Sequence, residues 1–278
     1  MSHSLRYDVN CSILFTELPL LERPAAAAAA GFSAVEFWWP FDKAVPDGPA
    51  VDAFVSAVRD AGVALVGLNF AAGDMPGGDR GLVSWPDRSI EFRESVHVLV
   101  EIGEQLACTA FNALYGNRVD DALPVQQDEL ALTNLAFAAE AVASIGGTVL
   151  IEPISGSPRY PLLMADDAVA VIDKVRADSG ATNIALLADL YHLAVNGDDV
   201  DAAIAAHVGR VGHVQIADAP GRNEPGTGEL PLERQLAALE SGGYAGWVGL
   251  EYKPSTTTAA SLDWLPRERR TAALDVTH

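Results

Sequence analysis

The chain has 278 residues, 49% of them hydrophobic and 20% charged, enough to fill the core of one large domain without disulfide or metal staples. Its 38 acidic and 18 basic residues leave a formal charge of −20, a surface that repels nucleic-acid phosphates and anionic membranes and argues against both as partners. Only two cysteines occur, Cys11 and Cys108, far apart and without metal-ligand spacing; with no apolar leader and no run of membrane-spanning length, the expectation is a soluble protein of the reducing cytoplasm.

Taken in order, Arg6 to Cys11 alternates around Tyr7, Val9 and Cys11 and predicts a first strand. Leu18 to Gly31, with its alanine run, predicts a helix closed by glycine. Ala34 to Trp38 is a second strand, Asp47 to Ala61 a helix stopped by Gly62, and Val63 to Phe70 a third strand. The stretch from Ala71 to Arg88, with six glycines or prolines, reads as a long loop of the kind that serves as a lid. Helices follow at Ser89–Leu106, Asp128–Ile145, Ala165–Ala177, Val200–Val208 and Pro231–Ser241. They alternate with strands at Thr109–Leu114, Thr148–Glu152, Ile184–Asp189, Val211–Gln215 and Trp247–Glu251, and a helical tail is expected over 256–273.

Eight strands alternating with helices imply a parallel sheet, and eight favour closure into a single (β/α)8 TIM barrel spanning 1–278. The competing doubly wound sheet would carry a glycine-rich phosphate loop after an early strand; here Ser12-Ile13-Leu14-Phe15 follows the first one. Continuous apolar runs such as Thr148-Val149-Leu150-Ile151 suit strands buried on both faces.

Four of these strands end in oxygen donors: Glu152, Asp189, Gln215 and Glu251. Strand ends of a barrel surround its catalytic mouth, and four consecutive strands would bring these groups to one side of it. Unpaired carboxylates so close would repel, and a hard divalent ion, Mg²⁺ or Mn²⁺, resolves the electrostatics with an all-oxygen donor set. No organic cofactor is implied. His192, three residues after Asp189, can reach a substrate oxygen, whereas His213 suits a satisfied core position or a deeper pocket wall. Arg222, in the Pro/Gly-rich segment after the seventh strand, and Lys253 are the cations suited to an anionic substrate. Trp38, Trp39 and Phe41 suit either a subunit contact in a homo-oligomer or a pocket wall.

The chain resembles the hydroxypyruvate isomerase family within the xylose-isomerase-like barrels. The resemblance rests on Gly31-Phe32-x-x-Val35-Glu36-Phe37, on Asn69-x-x-Ala72-Gly73-Asp74 with Arg80-Gly81, and on Ile151-Glu152-Pro153-Ile154 and Asp189-x-Tyr191-His192. It continues through Gly212-His213-Val214-Gln215, Glu224-Pro225-Gly226-Thr227-Gly228-Glu229 and Gly249-x-Glu251-Tyr252-Lys253-Pro254, spanning nearly the whole chain. It implies isomerisation of a small hydroxy-keto acid, hydroxypyruvate to tartronate semialdehyde, through a cis-enediolate at one divalent metal. Glu152, Asp189, Gln215 and Glu251 would be its ligands, Glu152 and Glu251 the acid and base, and His192, Arg222, Lys253 and Asn69 the substrate contacts. A paralogue acting on 2-oxo-tetronate shares the signature. A dehydratase of related chemistry, a metal-dependent nuclease and a silent binding barrel are the further alternatives.

Overall fold

The computed structural model describes residues 2–271. Its eight strands are β1 (Arg6–Asn10), β2 (Ala34–Phe37), β3 (Ala64–Asn69), β4 (Ala110–Asn112), β5 (Thr148–Ile151), β6 (Ile184–Asp189), β7 (Val211–Ile216) and β8 (Trp247–Leu250). They pair in parallel in sequence order and close into a barrel, the seam running from Arg6 opposite Trp247 to Val9 opposite Leu250. The register slips between Val35 and Glu36 on β2 and between Leu186 and Leu187 on β6, the local irregularity that re-aims side chains at a barrel rim. Strands are apolar on the side that helices cover, while inward residues, the buried Glu36 and His213 among them, fill the interior.

The helices are α1 (Arg23–Ala29), α2 (Gly48–Ala61), α3 (Ser89–Leu106), α4 (Pro124–Ala143), α5 (Ala165–Ser179), α6 (Leu190–Asn196), α7 (Val200–His207), α8 (Leu232–Ser241) and α9 (Thr258–Ser261). Asp47 caps α2 by accepting from Ala50 N at 2.9 Å. Three of the boundaries that differ from the sequence expectation turn on a proline. The first helix is shorter: Pro24 fixes its start, and a 3-10 turn over Leu20–Glu22 occupies the segment before it. The fourth begins earlier, at Pro124, another proline in the first helical turn. The tail is not one long helix: α9 has four residues, and after Pro266 the chain forms a 3-10 turn over Arg267–Arg269. The end of that expected helix, 272–273, lies outside the described residues. No helix among the described residues is long and apolar enough to cross a membrane.

The segment 71–88, expected as a lid, is a docked ledge. Gly81 N donates to Ala72 O at 3.0 Å and Ser84 N to Tyr115 O at 2.8 Å, while Asn134 Nδ2 of α4 donates to Val83 O at 2.9 Å. Leu82 and Val83 are buried, and Arg88 bridges Asp79 and Glu91 at 2.8 and 2.6 Å. Gly81 is the closest approach: its φ is +111°, and a Cβ there would lie 1.9 Å from Leu114 O. Gly81→Ala is therefore expected to destabilise the fold by roughly 2–4 kcal/mol, the sum of a left-handed alanine and a backbone clash. Gly78→Ala, at φ +109° but with open space around it, carries only the backbone cost and is the control in denaturant unfolding.

Candidate active site

The last strands deliver their donors to one point. Asp189 ends β6 opposite Gln215 on β7, while Glu152 and Glu251 directly follow β5 and β8. All four residues are at most 4% exposed. Ligand atoms of Glu152, Asp189, His192 and Glu251 lie within 4.8 Å of one another. Asp189 also starts α6: its carboxylate accepts from Tyr191 N at 2.8 Å and His192 N at 3.2 Å through Oδ1. That leaves Oδ2 buried without a hydrogen-bond partner, and the same holds for Gln215 Oε1.

Two buried oxygen lone-pair groups without donors, beside two more carboxylates, are what a hard cation would satisfy and what a purely structural cluster would leave at a cost. Burial pushes Glu152 well above the usual carboxylate range, with the nearby Glu251 and Asp189 adding to the effect. Burial also raises Glu251, to about 7, against the pull of the Arg222 guanidinium. Asp189 is raised by burial too. The set fits a divalent ion by its donor chemistry and by its orphaned oxygens.

His192, on α6, is 6% exposed, and its Nδ1 accepts from Ser155 N at 3.0 Å. A ring nitrogen that accepts a backbone N–H carries no proton, so the neutral ring has its hydrogen on Nε2. That nitrogen faces the cluster, 3.6 Å from Asp189 Oδ2 and 4.0 Å from Glu152 Oε1. Burial, reinforced by the Arg222 charge, lowers the imidazole to about 3, so His192 presents a neutral N–H donor.

Arg222 reaches the site as the expected cation: Nη2 contacts Glu251 Oε2, and the guanidinium lies 5.5 Å from the Tyr191 ring centre. Its loop is tied by Asp218, which is 1% exposed and accepts from Ala219 N (2.9 Å), Gly226 N (2.8 Å) and Leu230 N (3.0 Å). Asp218→Ala releases these three contacts and is expected to lower kcat/KM by roughly 10- to 100-fold through misplacement of Arg222. Steady-state kinetics beside a thermal unfolding curve would separate that effect from general unfolding. Lys253 is exposed, and its recorded contacts are backbone: its N donates to Arg222 O at 2.7 Å and its carbonyl accepts from Asn223 Nδ2 at 2.8 Å. The structure thus puts Lys253 at the rim, bracing the arginine loop. Asn69 ends β3 beside Asn112, next to a small interior cavity also lined by Glu36, His213 and Gln215.

Asn10 and Asn112, which the sequence pattern does not single out, complete the site together with Trp38. Asn10 and Asn112 end β1 and β4. Asn112 Nδ2 donates to Glu152 Oε2 at 2.6 Å, and Asn10 Nδ2 to Glu251 Oε1 at 3.2 Å. Trp38 Nε1 donates to the same Glu251 oxygen at 2.6 Å, which makes this tryptophan a pocket wall, while Trp39 and Phe41 stack edge-on 5.2 Å apart. The barrel therefore has an amide side, with Asn10, Asn69 and Asn112, and an acidic side, with Glu152, Asp189 and Glu251. The available signal was three early strands each ending in asparagine. Beneath lies a second cluster in which His213 Nε2 sits 2.6 Å from Glu36 Oε2, so His213 is a satisfied interior histidine; burial, then Glu36, holds Asp8 well above the carboxylate range.

Residues 24–268 match the model of the xylose isomerase-like TIM barrel family. A putative hydroxypyruvate isomerase of Streptomyces coelicolor is 54% identical over 96% of this chain and 98% of its own length. A 2-oxo-tetronate isomerase of Cupriavidus necator is 36% identical over 94% and 97%. A solved structure described as an AP endonuclease, family 2, from Brucella melitensis superposes with a TM-score of 0.84 at 34% identity, covering 94% and 97%. Barrel order, acidic strand ends and these likenesses agree: the chain belongs to the hydroxypyruvate isomerase family of xylose isomerase-like TIM barrels.

Proposed function

We propose that the protein interconverts hydroxypyruvate and tartronate semialdehyde through a cis-enediolate at a site that holds one divalent ion, Mg²⁺ or Mn²⁺. The observation that carries this reading is the convergence of Glu152, Asp189, His192 and Glu251, whose ligand atoms lie within 4.8 Å of one another in a buried mouth, with Asp189 Oδ2 and, on the next strand, Gln215 Oε1 left without hydrogen-bond partners. An ion held by Glu152, Asp189, Gln215 and Glu251 would supply positive charge against the oxyanion that develops as the substrate loses its carbon-bound proton.

The chain's own groups do the rest. One of Glu152 and Glu251 takes a proton from the hydroxymethyl carbon of hydroxypyruvate, the C–H electron pair becoming the C=C bond of the enediolate. A proton returns to the adjacent carbon, while the hydroxyl proton passes from one substrate oxygen to the other, so the isomerisation needs no oxidant or reductant. The Nε2–H of His192 faces the cluster and suits donation to a substrate oxygen. Arg222, half-buried beside Glu251, offers its guanidinium for the substrate carboxylate. Asn112 holds Glu152 through Oε2, and Asn10 and Trp38 hold Glu251 through Oε1, which fixes how the two glutamates are turned.

The 54% identity to a protein named for hydroxypyruvate supports that substrate, and the 36% relative supports 2-oxo-tetronate as the second reading. A nucleic-acid substrate, suggested by the description of the Brucella structure, is opposed by the charge of −20. The deciding experiment is proton NMR in D₂O with each keto acid in parallel. Deuterium appearing on the product carbon, with kcat/KM at least tenfold higher for hydroxypyruvate, is the expected result. A tenfold preference for 2-oxo-tetronate would install the second reading, and no exchange with either acid would remove both.

A further inference from the structure

Glu36 lies on the inner face of β2, 3% exposed, in a slot cut by two glycines, one on the adjacent β3 and one on β8, two strands away across β1. A Cβ on Gly249 of β8 would come within 2.7 Å of Glu36 Oε1, and one on Gly67 of β3 within 3.1 Å of Glu36 Oε2. The barrel interior is thus shaped around this carboxylate. Its Oε2 meets His213 Nε2 at 2.6 Å. Its Oε1 accepts from Gln215 Nε2 at 2.7 Å and from Asn10 Nδ2 at 2.9 Å.

Those two amides are the ones that also reach Glu251: Asn10 Nδ2 at 3.2 Å and Gln215 Nε2 at 3.5 Å, both to Oε1. The amide layer is therefore held between a lower carboxylate, Glu36, and an upper one, Glu251. Glu36 Oε1 already accepts from Asn10 Nδ2, so it meets Gln215 as an acceptor too: the N–H₂ end of Gln215 faces Glu36 and its oxygen faces away. Turning the amide over would bring two acceptor oxygens to 2.7 Å with no hydrogen between them.

We propose that Glu36 is a positioning residue that fixes the orientation of the Gln215 amide and so aims Gln215 Oε1 into the carboxylate cluster. The assignment rests on the reading of that cluster as a cation site. Glu36 touches no substrate; it acts through Gln215 and, in parallel, through Asn10 on Glu251. His213 holds the far oxygen of Glu36 and keeps the near one turned towards both amides.

The test pairs metal binding with a polarity swap. In Mn²⁺ titrations followed by electron paramagnetic resonance, Glu36→Ala is expected to weaken the affinity at least tenfold. In EDTA at pH 8, Gln215→Glu sets a carboxylate against Glu36 and is expected to lower the thermal midpoint by roughly 10 °C. Adding Glu36→Gln to Gln215→Glu supplies an amide donor to that carboxylate and an oxygen for His213. The double variant is expected to recover most of the midpoint and to bind Mn²⁺ at least as tightly as the wild type. Wild-type Mn²⁺ affinity in Glu36→Ala, or a double variant no more stable than Gln215→Glu alone, overturns the proposal. A wild-type protein that takes up no Mn²⁺ removes the cation reading of the proposed function instead, and the stability comparison in EDTA still decides what Glu36 does to Gln215.

Discussion

Glu152→Gln and Glu251→Gln are each expected to lower kcat on hydroxypyruvate by about 10³- to 10⁴-fold, because each removes a proton acceptor from the reacting carbon and a charge from the oxygen cluster. Both replacements are isosteric, and the donors around them remain: Asn112 beside Glu152, Asn10 and Trp38 beside Glu251. The fold should survive and even gain. Burial raises Glu152 well above its ordinary value. A carboxylate raised in this way subtracts stability as pH climbs past its unfolded value near 4.5, so at alkaline pH the buried Glu152 carboxyl opposes folding in the absence of a cation. A neutral glutamine removes that opposition. The thermal midpoint of Glu152→Gln in EDTA should therefore equal or exceed that of the wild type, as expected where an active site is kept at the expense of stability. Near-normal turnover in both variants would remove the two glutamates from the chemistry.

Exhaustive chelation is expected to abolish turnover, and Mn²⁺ or Mg²⁺ to restore it. The same titration should raise the thermal midpoint, since a ligand at a hundredfold excess over Kd adds about 2.7 kcal/mol, or roughly 5–10 °C for a chain of this size. The rise should be smaller in Asp189→Asn, which swaps one of the unpartnered oxygens for a weaker donor. Activity that persists after dialysis against EDTA would sink the cation and leave the neutral His192 donor and Arg222 as the main partners of the developing oxyanion.

The barrel and its acidic side were readable because both are written in strong local patterns. Buried parallel strands need continuous apolar runs, and a charged residue at the end of such a run stands out, as Glu152 does after Val149-Leu150-Ile151. The amide side was quieter. Asn10, Asn69 and Asn112 look like ordinary turn residues, since asparagine is common wherever a strand gives way to a loop. Only closure of the barrel sets Asn112 2.6 Å from Glu152, forty positions away in the chain. Lys253 is placed differently from a continued strand: two residues beyond Glu251 it would share that face, but β8 stops at Leu250 and Lys253 is exposed at the rim. The helix α6 went unseen because its seven residues follow β6 with no loop between, Asp189 serving as both strand end and cap. The ledge at 71–88 hid its nature in its glycines, which signal mobility in isolation and close docking once Leu114 O is placed against Gly81.

The split between neutral and acidic strand ends has a consequence for how the polypeptide could be divided. The asparagines arrive with residues 6–112 and the acidic donors with residues 148–251, so a cut between β4 and β5 would leave the amide donors on one fragment and three clustered carboxylates, with Arg222 beside them, on the other. Neither piece would be self-sufficient, and fragment complementation should be steeply favoured by whatever neutralises the second piece. Assembly of the ring and maturation of its chemistry are in that sense a single event.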